Sequence, residues 1–276
     1  MYADLHTHTI YSDGSLEIEE LVKEAKDKKI KVLAVTDHDT IFHYDKVKAA
    51  CEKYGIQYIR GVELSCYDFD VNKKVHIVGL GLNDNPKHVE EKAAQVLKGR
   101  DDYHKKLITI LNNKGYDISY EDVKKYAKYN IVFKKHLFDA IADKYPQMNN
   151  PQKYRELFLN TGFSNADLEM NYITVKDGIE AIHEDGGIAI IAHPCLYKNY
   201  PEIDKYVEYG LDGIEISHPE MKEEDYYLTR EIADKYNLIR SGGSDFHDND
   251  LTPFLGDYGL TKEQFDTFKL GLNYND

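Results

Sequence analysis

Nine side chains of the kind that bind metal ions lie in short polar stretches along this chain, next to segments that are predicted to be β-strands. They comprise six histidines and three carboxylates: His6, His8, Asp13, His38, Glu63, His76, His193, Asp245 and His247. Nitrogen and oxygen ligands without cysteine favour Zn²⁺, Mn²⁺ or iron over a site built on thiolates. Nine ligands are too many for one ion and suit a cluster of two or three. The pattern therefore predicts a hydrolase rather than a binding module.

The spacing of these residues indicates that they meet in one place. Residues two apart in a strand face the same way, so Asp4, His6 and His8 would share one face of the first strand. We expect four others to follow an apolar strand at its carboxyl end, where βα barrels collect their chemistry: His38, Glu63, His193 and Asp245. Each motif alone is compatible with a turn or a core histidine, but their repetition at several strand ends favours one shared metal site.

Composition and charge exclude several other classes of protein. The 276 residues carry a net charge of −14, which argues against stable binding to duplex nucleic acid or to anionic membranes. The sequence has no apolar run long enough to span a bilayer and no basic-then-apolar leader. Its three cysteines, Cys51, Cys66 and Cys195, form no disulfide or zinc pattern. We therefore expect a soluble cytoplasmic protein with reduced thiols.

Strand and helix patterns alternate at the two ends of the chain, which is typical of βαβ units with parallel strands. The predicted strands cover 2–6, 31–36, 56–63, 75–80, 187–192, 213–217 and 238–242. The predicted helices between them cover 17–29, 44–54, 175–185, 201–209 and 222–236. The intervening stretch is mainly helical, at about 89–114, 119–128, 134–144 and 151–160. The sequence therefore predicts an α/β barrel-like domain over 1–84 and 173–276, interrupted by a helical insertion over 85–172.

Four segments make the chain resemble a known family. DLHTHTIYSDG, VTDHDT, AHP and GGSDFH are similar to the signature segments of the polymerase-and-histidinol-phosphatase (PHP) family of metal-dependent phosphoesterases. The similarity covers nearly the whole chain, and HLFDAI after Lys135 resembles the branch of stand-alone nucleotide phosphoesterases. The resemblance implies a distorted seven-stranded βα barrel that carries three metal ions.

The resemblance also implies how the ligands are divided. One ion would take His6, His8, Glu63 and Asp245; a second would share Glu63 and take His76 and His193; the third would take Asp13, His38 and His247. We expect two to three divalent ions, and Mn²⁺, Zn²⁺ and iron stay open because all accept such ligands. Three ions with three carboxylates would leave a local charge of about +3, which would allow an acidic protein to bind a phosphate ester.

Other polar residues are candidates for binding or acid–base roles. We expect Asp4 to orient a histidine or else to have a structural role. His218 would either bind phosphate or protonate the leaving oxygen, or would be a turn residue. His136, with Lys134 and Lys135, would bring positive charge over the substrate phosphate, or would form a surface cluster. Arg100 is a weaker candidate of the same kind. We expect the remaining histidines to lie on the surface: His43, His88, His104 and His183.

These observations predict a phosphoesterase whose metal-activated hydroxide hydrolyses phosphate esters. By resemblance the substrate would be a small nucleotide, either a 5′-mononucleotide, a nucleoside 3′,5′-bisphosphate or the 5′ end of a short oligonucleotide. The helical insertion would form a lid that limits substrate size. Two alternatives stay open, a histidinol-phosphate phosphatase and a non-catalytic PHP module that binds metal and docks a partner.

Overall fold

Seven strands form one curled sheet in the computed structural model, which describes residues 1–159, 170–248, 254–268 and 271. The strands of the described chain are β1 (Ala3–Asp4), β2 (Val32–Val35), β3 (Gln57–Asp68), β4 (Lys73–Leu80), β5 (Ile173–Thr174), β6 (Ile188–Ile191), β7 (Gly213–Glu215) and β8 (Ile239–Ser241). Their order across the sheet is β1-β2-β3-β4-β6-β7-β8, and β5 pairs with β3 outside this path. The sheet confirms the predicted α/β class with a distorted seven-stranded barrel.

Helices follow most strands and cover the outer face of the sheet. They are α1 (Ile18–Asp27), α2 (Tyr44–Tyr54), α3 (Lys87–Asn113), α4 (Tyr120–Lys124), α5 (Lys134–Lys144), α6 (Pro151–Tyr154), α7 (Val175–Glu184), α8 (Pro194–Tyr197), α9 (Ile203–Glu208), α10 (Glu223–Tyr236) and α11 (Lys262–Phe268). Short 3₁₀ turns lie at Pro146–Met148 and Tyr200–Glu202, and a π turn lies at Arg155–Leu159. Among the described residues, no helix combines the length and the apolar character that crossing a membrane would require.

The two ends of the sheet meet at the loops that follow β1 and β8. The Asp245 N–H donates to the carbonyl of His6 at 2.9 Å, and the His8 N–H donates to the carbonyl of Phe246 at 2.9 Å. Gly243 permits this approach, because a Cβ at that position would lie 2.4 Å from the backbone nitrogen of His6. The contact closes the barrel and brings Asp245 against two histidines that are far away in sequence.

Strand β4 runs antiparallel to both of its neighbours. It pairs with β3 from Asp68↔Lys73 to Gly61↔Leu80 and with β6 through Ile77↔Ile191. The loop at 69–72 is too short for the crossover that parallel strands need, so β3 and β4 form a hairpin. The pairs β1–β2, β2–β3, β6–β7 and β7–β8 are parallel, as the strand–helix alternation predicts.

Glu63 lies in the middle of β3, so the expectation that it follows a strand is wrong. The hairpin with β4 extends β3 to Asp68, beyond the predicted end of this strand. Glu63 shares its face of the strand with Ile59, which belongs to a buried apolar cluster inside the barrel. The polar site therefore lies directly above the apolar core of the barrel.

The described part of the segment between β4 and β5 is mainly helical up to residue 159, and it packs directly on the barrel. Val96 and Leu107 of α3 and Leu137 of α5 belong to the same buried cluster as Leu64 and Ile77 of the sheet. The helix predicted at 151–160 is shorter, since α6 ends at Tyr154 and the π turn follows. Residues 160–169 of the predicted insertion lie outside the described residues. The division of the chain at residues 84 and 173 stays a prediction.

Candidate metal centre

The carboxylate of Glu63, which is fully buried, lies at the centre of the predicted ligands. Its Oε1 is 2.7 Å from His76 Nδ1 and 2.9 Å from His193 Nε2. Its Oε2 faces three further imidazole nitrogens at 2.9, 3.2 and 3.3 Å, which belong to His38, His6 and His8. A carboxylate that faces five imidazoles could hold divalent cations together with them.

Asp245 and Asp13 extend this centre to the remaining predicted ligands. Asp245 Oδ1 is 3.3 Å from His6 Nε2 and 3.1 Å from His8 Nε2. Asp13 Oδ1 is 3.3 Å from His247 Nε2. The structure therefore brings all nine predicted ligands into one continuous cluster.

Three sets of ligand atoms, each within 4.8 Å of one another, can be distinguished in this cluster. They are His6, His8, Glu63 and Asp245; then His8, Asp13, His38 and His247; and finally His38, Glu63 and His76. The first set is the one that the resemblance implies for one ion. His8 belongs to both the first and the second set, and His38 to both the second and the third. His193 belongs to none of the three sets and is connected to the cluster by its contact with Glu63. How the nine ligands divide among ions stays a prediction.

The histidines keep the three carboxylates charged. Burial alone would raise the pKa of Glu63, but His38, His76 and His6 lower it well below its usual value. Burial is likewise outweighed at Asp245, where His6 and His247 lower the pKa of the carboxyl group. Burial lowers the pKa of the His76 imidazole to about 4 despite the charge of Glu63 beside it. At His6 and His8 the neighbouring carboxylates outweigh burial and raise the pKa of the imidazoles, so an ion that binds there would displace protons.

Unpaired buried atoms support a fit between this cluster and divalent cations. Five atoms of the predicted ligands are buried without a hydrogen bond of acceptable geometry among the described residues: His6 Nε2, Asp13 Oδ1, His38 Nδ1, Glu63 Oε2 and His193 Nδ1. A buried polar atom without a partner costs about 1–3 kcal/mol, so a cluster of them is stable only with a compensating group. Ions that accept imidazole and carboxylate ligands would supply it.

Backbone strain coincides with the same residues. Asp39, His193 and Asp245 adopt φ angles of 53°, 28° and 52°, which fall in or beside the left-handed region. Non-glycine residues rarely adopt such angles, and when they do they cluster at functional sites. Two of the three are predicted ligands, so the fold holds these side chains in place at a cost in backbone energy.

Asp4 does not orient a histidine ring as we expected. Its carboxylate accepts hydrogen bonds from the Ser244 N–H at 2.9 Å, from the Ser244 hydroxyl at 2.7 Å and from the Gly256 N–H at 2.7 Å. Its contact with His6 is a long one to the backbone N–H, at 3.4 Å. The carboxylate of Asp4 therefore holds the backbone beside Asp245 in place instead of orienting an imidazole.

Glu215, which the sequence analysis missed, orients a histidine instead. Glu215 Oε1 lies 2.7 Å from His6 Nδ1, and Glu215 Oε2 accepts the backbone N–H of His193 at 2.6 Å. The residue is buried and ends β7. A signal was available in the sequence, since Glu215 is a carboxylate in the middle of the strand predicted at 213–217.

The two other candidate histidines lie close to the cluster. His218 Nε2 is 3.1 Å from Asp245 Oδ2, while its Nδ1 accepts the backbone N–H of Glu220 at 3.2 Å. His136 Nδ1 accepts the Phe133 N–H at 3.1 Å at the start of α5. Burial lowers the pKa of His136 to about 4, although the charge of Asp13 opposes this shift. Their roles toward a substrate stay predictions.

Arg100, Lys74 and Lys134 form a group of buried or half-buried cations, here called the cation cluster. Arg100 Nη2 donates to Asp39 Oδ2 at 2.6 Å, and its guanidinium lies 4.4 Å from the centre of the Phe133 ring. Burial lowers the pKa of Lys134 well below its usual value, and the charges of Lys74 and Arg100 lower it further. Burial and the charge of Arg100 lower the pKa of Lys74 to about 8.

Lys135, which we expected to bring positive charge over the substrate phosphate together with Lys134, lies among carboxylates. Lys135 Nζ is 2.6 Å from Asp139 and 3.9 Å from Asp248, so carboxylates already balance its charge. Lys74 was not considered, and its position gave a signal, because it lies two residues before His76 on the same face of β4.

Two of the four histidines that we expected on the surface are buried. His43 Nε2 pairs with Asp37 Oδ2 at 2.8 Å, and His104 Nδ1 lies 2.8 Å from the carbonyl of Arg100. His88 is exposed and His183 is partly exposed. The expectation was wrong for these two because His43 pairs with the buried carboxylate of Asp37 and His104 packs against Arg100 of the cation cluster.

Comparisons with known proteins agree with this geometry. The family model of the PHP domain matches residues 4–184. A phosphoribosyl 1,2-cyclic phosphate 1,2-diphosphodiesterase from Eggerthella lenta is 33% identical over 249 residues, which cover 90% of this chain and 94% of that protein. A 5′-3′ exoribonuclease from Haemophilus influenzae is 30% identical over 253 residues, which cover 88% of this chain and 89% of that protein.

A solved structure shows the same fold. The structure of a protein from Bifidobacterium adolescentis, assigned as a metal-dependent phosphoesterase, matches with a TM-score of 0.86 at 22% identity. The match covers 98% of this chain and 96% of that one. The resemblance that the four sequence segments indicated is confirmed, and the chain belongs to the PHP domain family.

Proposed function

We propose that this protein is a metal-dependent phosphoesterase that hydrolyses small ribose phosphates, nucleotides among them. The observation that carries this proposal is the position of Glu63, a buried carboxylate with five imidazoles within 3.3 Å. A site of this kind concentrates divalent charge, which is what the hydrolysis of a phosphate dianion or diester requires. Relatives in the same family carry phosphodiesterase and exoribonuclease names.

The nine ligand residues would hold two to three divalent ions. When bound, such ions supply a water of lowered pKa and neutralise the phosphate oxygens. Mn²⁺, Zn²⁺ and iron all suit imidazole and carboxylate ligands. The chain itself contributes the fixed geometry: Glu63 is held by the β3–β4 hairpin, and Asp245 by the closure of the barrel.

The cation cluster supports a substrate with a further anionic group. Lys74 and Lys134 lie near each other and near Arg100, whose guanidinium forms an ion pair with the carboxylate of Asp39. A bound phosphate would offset the repulsion between the two ammonium groups. The Eggerthella lenta relative is named for a phosphoribosyl cyclic phosphate, which carries two phosphates on one ribose. We infer a substrate that presents one phosphate to the metal ions and another to the cation cluster.

The helical insertion would close over this substrate. Arg100 lies on α3, while Lys134 and His136 lie on the first turn of α5, so both helices bring polar groups to the barrel. Because the cation cluster is largely buried, long polymers would be excluded and only small molecules or chain ends would fit. The proposed lid role of residues 85–172 rests on these contacts.

His218 would act by fixing Asp245. Its Nδ1 accepts a backbone N–H, so the ring carries its proton on Nε2 and donates it to Asp245 Oδ2. Donation to a leaving oxygen would require this bond to break. A hydrogen bond from His218 to the second oxygen of Asp245 would orient this carboxylate toward its ion.

A histidinol-phosphate phosphatase is less compatible with the cation cluster. Histidinol phosphate carries an ammonium group and one phosphate, and its cationic end would be repelled by Lys74, Lys134 and Arg100. A non-catalytic module would not need a complete set of nine ligands together with a cation cluster beside it.

A phosphate-release assay with defined substrates tests this proposal. Protein reconstituted with Mn²⁺, Zn²⁺ or Fe²⁺ is offered a nucleoside 3′,5′-bisphosphate, a phosphoribosyl cyclic phosphate, AMP, a short 5′-phosphorylated oligonucleotide and histidinol phosphate. We expect the two substrates with a second phosphate on one ribose to have the highest kcat/KM. Lys134→Met should reduce this preference, whereas the exposed control Lys176→Met should not. A preference for histidinol phosphate would contradict the proposal.

A further inference from the structure

Glu215 touches two of the predicted ligands with its two carboxylate oxygens. One oxygen faces the His6 ring and the other the His193 backbone, although these residues lie on different strand ends. We propose that Glu215 is a positioning residue that selects the metal-binding form of His6 and holds His193 in its left-handed conformation. The inference rests on the metal centre of the proposed function and assigns a role to a residue outside the nine ligands.

The hydrogen bond to Glu215 determines which nitrogen of His6 is free. Glu215 Oε1 is 2.7 Å from His6 Nδ1, and a carboxylate can only accept, so Nδ1 carries the proton. Nε2 faces Glu63 Oε2 at 3.2 Å and Asp245 Oδ1 at 3.3 Å, and in the neutral ring with its proton on Nδ1 this nitrogen carries the lone pair. This is the nitrogen that would bind an ion, and the hydrogen bond on the other ring nitrogen fixes its orientation.

The second oxygen of Glu215 stabilises an unusual backbone. His193 has a φ of 28° and lies at the junction between β6 and α8. Its N–H donates to Glu215 Oε2 at 2.6 Å, which directs the ring so that Nε2 lies 2.9 Å from Glu63 Oε1. Without this acceptor, the buried N–H would lack its partner and the strained conformation would lose a support.

The substitution Glu215→Gln would change the contact with the His6 ring but keep the one with the His193 backbone, with little change in side-chain shape. A carboxamide has one accepting oxygen and one donating nitrogen, and the His193 N–H requires the oxygen. The amide NH₂ would then face His6 Nδ1, which must accept, so His6 would carry its proton on Nε2. That proton would occupy the nitrogen that the metal ion needs. We therefore expect Glu215→Gln to weaken metal binding by about 10- to 100-fold.

Metal titration of the purified full-length chain tests the inference. Metal-free wild type, Glu215→Gln and the exposed control Glu208→Gln are titrated with Zn²⁺, and bound ions are counted by mass spectrometry after gel filtration. The control removes the same charge from an exposed position. The ¹⁵N spectrum of the Zn²⁺-loaded proteins reports whether His6 carries its proton on Nδ1. We expect weaker binding and loss of the Nδ1–H signal in Glu215→Gln, and neither change in the control.

Two results would overturn the inference. One is wild-type Zn²⁺ affinity in Glu215→Gln; the other is an unchanged His6 Nδ1–H signal in that variant. If the Gln variant does not fold, Glu215→Asp takes its place, and Zn²⁺ affinity equal to the wild type would overturn the inference there. Because the measurement is metal binding rather than turnover, it is independent of the substrate. A wild-type chain that binds no metal would overturn the proposed function together with the inference.

Discussion

His76 Nδ1 lies 2.7 Å from Glu63 Oε1, and the two residues are diagonal neighbours on the antiparallel strands β3 and β4. The register pairs Glu63 with Val78 and Ser65 with His76, so both polar side chains lie on the inner face of the hairpin. Backbone hydrogen bonds on both sides therefore fix the distance between a carboxylate and an imidazole. This rigidity suits a ligand pair, since metal sites depend on geometry that is set before the ion binds.

Removal of the Glu63 charge should disrupt the whole centre. Glu63→Gln keeps the shape but loses the carboxylate that faces five imidazoles, so we expect loss of bound metal and a fall in kcat/KM of at least about 100-fold. Metal content by mass spectrometry and phosphate release would be measured together. Glu263→Gln, at an exposed position on α11, serves as the control. A full metal complement in Glu63→Gln would contradict the account.

Loss of Arg100 should destabilise the protein through Asp39. The Arg100 side chain is about 10% exposed and that of Asp39 is fully buried, with Nη2 and Oδ2 2.6 Å apart. Arg100→Met leaves a buried carboxylate without its partner, which typically costs about 3–5 kcal/mol. The double variant with Asp39→Asn should recover a large part of this loss. Urea unfolding of the single and double variants would measure both effects, and equal stabilities would refute the pairing.

Lys134 should make stability depend on pH. Burial and the charges of Lys74 and Arg100 lower its pKa in the folded protein, with His104 also nearby. Between that lowered pKa and the ordinary value of about 10.4, the unfolded chain holds a proton that the folded protein lacks. The unfolded state is therefore favoured as the pH falls, and the free energy of unfolding rises with pH in this window.

Lys134→Met should remove this effect. We expect the metal-free variant to be more stable than the wild type at pH 7, with a difference that shrinks toward pH 10. Urea unfolding at both pH values, with Lys176→Met as an exposed control, would measure it. A difference in the free energy of unfolding between variant and wild type that grows from pH 7 to pH 10 would contradict the prediction.

His218 should affect metal binding more than proton transfer. His218→Ala removes the donor to Asp245 Oδ2, and we expect metal affinity to fall by about 10- to 100-fold. His218→Gln retains an N–H donor and should recover part of the affinity. Activity measured at saturating metal should then approach that of the wild type. A large loss of kcat at saturating metal in His218→Gln would indicate a role in acid catalysis instead.

The residue types at strand ends were sufficient to predict that these side chains lie together. His6, His8, His193 and Asp245 each follow a short apolar stretch, and such local patterns predict strands well. Parallel strands then bring their carboxyl ends to one edge of the sheet, so the cluster follows from local signals. The seven-stranded barrel was predicted from the similarity of four sequence segments to a known family.

Contacts between distant parts of the chain were beyond the reach of these signals. Neither the partner of Glu215 nor that of Asp4 could be read from spacing, because each depends on how β7 and β1 meet loops far away in sequence. Arg100 is an ordinary residue of an amphipathic helix until the tertiary structure places it beside Asp39. The burial of such a residue depends on tertiary packing, so it cannot be predicted from the periodicity of the sequence.

The central claim is that the buried cluster around Glu63 holds metal ions that support phosphoester hydrolysis. Metal-free protein titrated with Mn²⁺ tests it most directly, with bound ions and phosphate release from a nucleoside 3′,5′-bisphosphate followed in the same samples. We predict that activity appears only as the first two to three ions bind and that the chelated protein is inactive. Phosphate release that is equally fast in fully chelated protein, or tight metal binding without turnover of any ribose phosphate, would contradict the account.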